Sequence, residues 1–280
     1  MTDGPLIQLG LIGGNIAASR SPALHELAGR LTGRNVRYER LVPDARGESF
    51  EEVFAFAKEA GYRGLNVTYP YKERVVPLVR VENPQVKALG AVNTVKFTES
   101  GPVGDNTDYT GFISGYRRVR GEAKPGPVCM IGAGGVGKAI AFALMTLGME
   151  RLTIVERDLE KAEALAENLR AAGLADVRVT GEIAEGVAGA AGLVNCTPVG
   201  MVGYGGTPVP AALLGGAEWV FDAVYTPVET PFILDATKAG LTIISGYELF
   251  FYQGVNSFAI FHGEAIDEAE LRAALEAETV

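Results

Sequence analysis

MIGAGGVGKAI, residues 130–140, sets glycines at 132, 134 and 137 in the spacing G-x-G-x-x-G. An apolar strand-like run, PVCMIG, leads into it, and a helix-patterned run, GVGKAIAFALMTLG, leads out. Each glycine has a separate physical task. Gly132 permits the tight turn, Gly134 lets the backbone approach a pyrophosphate, and Gly137 lets helix and strand pack closely. Ala133, Gly135 and Val136 complete the loop, and the helix N-terminus adds partial positive charge. The alternative is a glycine-rich packing turn, but strand, loop, helix and following strand is the context a dinucleotide site requires.

That following strand, RLTIVE, ends on Glu156, about 20 residues beyond the glycines, where a ribose-binding acid stands in such units. Glu156 would accept hydrogen bonds from ribose hydroxyls and repel a 2′-phosphate, which favours NAD. Arg157 beside it could pair with that phosphate, which favours NADP. The cofactor expectation is therefore NAD or NADP, with Glu156 tilting it to NAD.

Outward from the loop, strands and helices alternate. LEKAEALAENLRAAG reads as a helix, and VRVT, GLVNCT, WVFDAV and LTIISG read as strands. The first half has the same rhythm. LIQLGLIG, VRYERLV and GYRGLNVT are strand-like, AVNTVKFTES and GPVGDNTD form two strands turning near Ser100–Gly101, and a helix starts near Tyr109. SFEEVFAFAKEAG carries a capping box, Ser49 with Glu52, and closes on Gly61. Ser21 reads as the N-cap of SPALHELAGRLTG, with Pro22 at its first position. The fold class is α/β: two open α/β domains with parallel sheets, the C-terminal one a doubly wound, Rossmann-type sheet. The expected domains are 1–108, completed by helices at 249–280, and 109–248.

Composition narrows the partners. Over 280 residues the net charge is −9 with no basic run, which argues against nucleic acid and anionic membrane. No apolar stretch reaches the length of a membrane helix. Cys129 and Cys196 lie in apolar runs without CxxC spacing, and no His/Cys cluster suits a metal. Reduced thiols in a cytoplasmic protein that takes a small molecule are expected. The sequence carries no signal of oligomeric state.

GLNVTYPYKERV, residues 64–75, is the second informative stretch. Asn66 and Thr68 break a core-like strand on one face, Pro70 stops it, and Lys72 follows. Alone, it reads as an edge strand with a surface lysine. Other polar groups stand at predicted strand ends: Ser19 and Ser21, Asn93, and Asp108. Each has a local alternative, such as a cap or a turn; Asp108 could cap the helix after it. Together they offer hydroxyls, amides, a cation and a carboxylate, which suits a small polyhydroxylated acid.

These segments resemble the shikimate dehydrogenase family, including its quinate/shikimate members. The resemblance is carried by SRSPALH (19–25), GLNVTYPYK (64–72), LGAVNTV (89–95), NTDYTGF (106–112), GAGGVGKA (132–139), NCTPVGM (195–201), DAVYTPVETP (222–231) and YQGVNSF (252–258). It implies that Ser19 and Ser21 bind the substrate carboxylate. It further implies that Asn66, Thr68, Asn93, Asp108 and Gln253 bind ring hydroxyls and that Tyr225 lines the site. Lys72, with Asp108, would be catalytic, the lysine transferring the proton. Thr197, Ala223 and Gly246 would approach the nicotinamide. The implied reaction interconverts shikimate and 3-dehydroshikimate, with quinate or an amino analogue as alternative substrates. A non-catalytic nucleotide sensor is a more distant reading, and the retention of Lys72, Asp108, Ser19 and Ser21 argues against it. Three positions depart from the pattern. Glu156 stands where the family often has Asn, Leu249 where many members have Met, and Ser21 where quinate-preferring relatives can have Thr.

Overall fold

The computed structural model describes residues 4–278. The chain divides into two compact units, Met1–Thr107 with Gln253–Val280, and Asp108–Tyr252.

In the first unit the strands are β1 (Leu6–Ile12), β2 (Asn35–Leu41), β3 (Gly64–Val67), β4 (Arg80–Val81), β5 (Thr94–Thr98) and β6 (Gly101–Asp105). Its helices before residue 107 are α1 (Ser21–Leu31), α2 (Pro43–Arg46), α3 (Phe50–Glu59) and α4 (Pro84–Leu89). The six strands form one sheet in the order β2-β1-β3-β5-β6-β4. Helix α3 shows how local sequence makes these elements. Ser49 accepts from the Glu52 N–H, and the Glu52 carboxylate accepts in return from the Ser49 N–H. Phe50, Val53, Phe54 and Ala57, at helical spacing, are buried. A core cluster of Leu9, Leu11, Ile16, Tyr38 and Phe261 supports the β1–β2 end of the sheet.

Three expectations need correction here. The sheet is mixed, because β5 runs antiparallel to both β3 and β6. β3 is no edge strand: it lies between β1 and β5, and all four of its residues are buried. Ser21 is the first residue of α1 rather than its cap; Arg20 is the cap residue, and no side chain caps that end.

The second unit holds α5 (Thr107–Arg120, from its second residue), β7 (Val128–Ile131), α6 (Gly135–Thr146), β8 (Arg151–Val155), α7 (Leu159–Ala171), β9 (Asp176–Thr180) and α8 (Ile183–Gly186). It continues with β10 (Gly192–Asn195), β11 (Trp219–Asp222), α9 (Pro231–Lys238) and β12 (Thr242–Ile244). Then come α10 (Gly246–His262) and, back in the first unit, α11 (Glu268–Ala277). Asp108 is the second residue of α5, so it too is not a cap. Here every strand pair is parallel, in the order β12-β11-β10-β7-β8-β9. This is the doubly wound dinucleotide-binding order, with its switch point between β7 and β10. Cys129, Ile131, Leu193, Val220 and Phe232 belong to the core beneath it. Among the described residues, no helix is long and apolar enough to cross a membrane.

Candidate active site

Register brings the polar residues of the first unit to one edge of its sheet. Ile12 pairs with Val67, Asn66 with Thr94, and Thr94 with Asp105. The carboxyl ends of β1, β3 and β6 and the start of β5 therefore coincide. Ser19 and Ser21 follow β1, Thr68 and Lys72 follow β3, and Asn93 precedes β5. The main chain fixes these segments: Thr68 N–H donates to Ile12 O (2.9 Å), Val67 N–H to Asn93 O (2.8 Å) and Val92 N–H to Lys72 O (2.8 Å). Lys72 is half-buried on this braced turn.

The amides are buried and heavily bonded. Asn66, 5% exposed, accepts from the Tyr38 hydroxyl (2.8 Å) and donates to Thr94 Oγ1 (3.0 Å) and Asn93 O (3.3 Å). Asn93 Oδ1 accepts from the Thr107 N–H (2.6 Å) and from the hydroxyls of Thr94 and Thr107. One lone pair of Asn66 Oδ1 is left over, and this network uses only the Oδ1 end of Asn93. Ser19 Oγ lies 3.2 Å from Ser21 Oγ and accepts from the Ser21 N–H. Both serines are half-buried, as is Gln253 in α10. His25 is buried, stacked on Tyr38 and bonded to Ser257. Burial, with His262 adding repulsion, drives its pKa down to about 3.

In the second unit the glycine loop joins β7 to α6. Gly132 has φ +98°, a conformation L side chains rarely adopt, and its N–H donates to Val155 O (2.9 Å). A Cβ on Gly137 would stand inside contact distance of the Gly132 carbonyl oxygen. Gly134 is the N-cap of α6, and beside it a Cβ would meet only Lys161 Nζ at 3.9 Å. The first intrahelical bond runs from Lys138 N–H to Gly134 O, so the N–H groups of Gly135, Val136 and Gly137 lie in the helix's orphan first turn. An open backbone face with unspent donors fits the diphosphate of a dinucleotide.

Glu156 reaches back to this loop. Its carboxylate accepts from the Ala133 N–H (2.9 Å) and the Arg157 N–H (2.8 Å), with Lys161 Nζ 3.6 Å away. Burial alone would raise its pKa, but the backbone N–H groups of Ala133, Asp158 and Arg157, with Lys161, together hold it below the usual carboxylate range. Arg157 is exposed.

Beyond β10 and β11, Asn195 Oδ1 accepts from both the N–H (3.0 Å) and the hydroxyl (2.6 Å) of Thr197. Ala223 N–H donates to Asn195 O (2.9 Å). Buried Asp222 ties these loops together, accepting from Asn195 Nδ2 (2.9 Å), the Val224 N–H (3.0 Å) and Thr230 Oγ1 (2.6 Å). Gly246 is packed so tightly that a Cβ would sit 2.5 Å from Val224 O. Tyr225 stacks on Phe250 at 5.1 Å. Burial pushes the Cys129 thiol up to about 12 and raises Cys196 as well, so both are inert thiols here. Asp108 is buried at the start of α5.

Sequence reasoning missed the residues behind the site. Asp222 and Asn195 end the apolar runs WVFD and GLVN, the same signal that singled out Asn66. Tyr38, Thr94 and Thr107 had no such mark, since the bonds that tie them to Asn66 and Asn93 run mostly between segments distant in sequence.

The two sheets, one with a glycine loop at its switch point, define a two-domain α/β protein with a Rossmann-type nucleotide unit. The family described as "Shikimate dehydrogenase substrate binding domain" matches residues 11–95, and "Shikimate / quinate 5-dehydrogenase" matches residues 117–191. Quinate/shikimate dehydrogenase (NAD(+)) of Corynebacterium efficiens is 39% identical over 95% of this chain and 96% of its own. The structure of quinate dehydrogenase from Corynebacterium glutamicum in complex with NAD superposes with a TM-score of 0.91 at 36% identity, covering 97% of this chain and 99% of that one. Shikimate 5-dehydrogenase from Thermus thermophilus, in complex with NADP(H) and shikimate, gives 0.84 at 31% identity, covering 97% and 99%. The chain belongs to the shikimate dehydrogenase family.

Proposed function

We propose that this protein is an NAD(P)-dependent dehydrogenase that interconverts shikimate and 3-dehydroshikimate. The observation that carries the reading is the polar edge of the first sheet in a chain that matches this family along its length. Ser19 and Ser21 take the substrate carboxylate. Asn66, Thr68, Asn93, Asp108 and Gln253 address ring hydroxyls, and Tyr225 lines the pocket. The dinucleotide, when bound, supplies the nicotinamide carbon that takes or gives hydride. Gly132, Ala133, Gly134, Gly135, Val136 and Gly137 hold its diphosphate, Glu156 and Arg157 its adenosine ribose, and Thr197, Ala223 and Gly246 border its nicotinamide. Oxidising a secondary alcohol also requires a base within hydrogen-bond reach of its hydroxyl. Lys72 takes that proton and returns it in ketone reduction, with Asp108 as the second catalytic group.

NAD is the favoured cofactor: the Glu156 carboxylate is held ionised at the ribose position, where it repels a 2′-phosphate. Quinate is a second substrate reading, supported by the quinate/shikimate relative at 39% identity. One buried and one half-buried thiol, both unbridged, support a reducing, cytoplasmic setting. Initial rates for shikimate and quinate, each with NAD and NADP, test all of this. Turnover of neither acid with either cofactor would overturn the assignment, and a higher kcat/KM with NADP would overturn the cofactor preference.

A further inference from the structure

We propose that Tyr38 is a positioning residue for the substrate: its hydroxyl holds Asn66, one of the two amides that read the ring hydroxyls, from the strand that also anchors the Ser19 main chain. The inference rests on the function proposed above.

Tyr38 is buried on β2, with its ring stacked on His25 and its N–H bonded to the Glu26 carboxylate (3.0 Å). Its ring and backbone are thus held independently of its hydroxyl. The hydroxyl donates to Asn66 Oδ1 at 2.8 Å. Two residues further along the same face of β2, Arg40 Nη2 binds the Ser19 carbonyl at 2.7 Å. One face of β2 therefore carries the main chain of one serine and one amide.

The chemistry of the chain gives it a direction. An asparagine amide has oxygen and nitrogen ends of nearly equal size, so only its partners decide which way it points. The Asn93 carbonyl, which can only accept, requires Nδ2 on its side, so Oδ1 faces Tyr38 and takes its proton. Asn66 Nδ2 faces β5, donating to Asn93 O and to Thr94 Oγ1. Thr94 Oγ1, once it accepts there, turns its own proton to Asn93 Oδ1 at 3.0 Å. That oxygen already takes the Thr107 N–H, which can only donate, so Thr107 sets the Nδ2 end of Asn93 as the donor available to a ligand and the relay reinforces it. With Asn66 flipped, Oδ1 would oppose the Asn93 carbonyl. Tyr38 thus anchors one amide whose orientation the main chain sets, and through Thr94 its bond reaches a second amide that it does not touch.

The test is steady-state kinetics of Tyr38→Phe, which keeps the ring and removes the hydroxyl. KM for the ring acid should rise about tenfold, the scale of one lost buried hydrogen bond, with a smaller fall in kcat. KM for the dinucleotide should stay at the wild-type value. A merely structural role would lower the active fraction, and so kcat, and leave both KM values alone; that pattern overturns the proposal. The double variant N66A/Y38F should cost little more than N66A alone, whereas full additivity would show that Tyr38 does not act through Asn66. If Y38F is not recovered folded, T94V breaks the same relay between the amides, and an unchanged ring-acid KM there overturns the coupling. A wild-type protein that neither binds nor turns over shikimate or quinate removes the functional reading and this proposal with it. An active wild type with an indifferent Y38F removes only the proposal.

Discussion

The loop after β3 and the loop after β7 both leave the carboxyl end of a strand, and they are built in opposite ways. Around β7 the groups proposed to work are main-chain N–H donors, and the side chains have to be absent: Gly132 needs its left-handed backbone, and Gly137 has no room for a Cβ. Around β3 the groups proposed to work are side chains, and bonds from other strands hold them, as Tyr38 and Thr94 hold Asn66. A backbone site is specified by a few neighbouring residues. A side-chain site is specified by an entire sheet.

The sharpest way to break this contrast is at Lys72. Lys72→Ala should lower kcat by about 10²- to 10⁴-fold, the usual scale for a lost acid–base group, while dinucleotide affinity measured by calorimetry holds. Near-normal turnover would exclude Lys72 as the proton carrier.

Acid should separate the two units next. Both histidines of the chain, His25 and His262, belong to the first unit. Their pKa values fall to about 3 and about 4: burial acts on both, His262 repels His25, and Arg34, Arg63 and Lys96 repel His262. Each is neutral when folded and protonated when unfolded below about pH 6.5, so the unfolded state binds more protons. Stability should be flat above that pH and fall as pH drops towards 4. The slope for His25 approaches about 1.4 kcal/mol per pH unit, with a smaller part from half-buried His262. Urea midpoints between pH 7.5 and 4.5 check this, and His25→Phe should flatten the curve.

Gly137→Ala probes the other side of the comparison. It should cost about 1–3 kcal/mol in stability through overpacking and weaken dinucleotide binding, leaving ring-acid binding intact. Thermal unfolding and two separate titrations distinguish these effects. The smallest expected change is at Glu156. Glu156→Gln should shift the kcat/KM ratio of NAD to NADP towards NADP by about tenfold, roughly one charge–phosphate interaction.

How much could be read beforehand follows the same division. The glycine loop, the Ser49–Glu52 box and the strand–helix rhythm were legible because each is written within a few residues. The place of β3 inside its sheet was not. It depends on pairing with β5, some thirty residues on, and that strand runs antiparallel against the surrounding rhythm. Ser21 and Asp108 fell inside their helices rather than at the caps, because a short polar residue near a helix start suits either place. Tyr38 looked like one more aromatic in an alternating strand. Its significance lies in a partner 28 residues away.

The contact between Glu156 and the Ala133 N–H has a consequence for changing the cofactor. The acid proposed to discriminate against a 2′-phosphate is also a brace of the loop proposed to receive the diphosphate. Removing it to admit NADP would strip an acceptor from the loop, so selectivity and loop geometry cannot be altered one at a time. A variant re-engineered for NADP therefore needs two changes, a cation for the phosphate and a neutral acceptor for Ala133. Glutamine at position 156 is the simplest residue that could keep the second while giving up the charge.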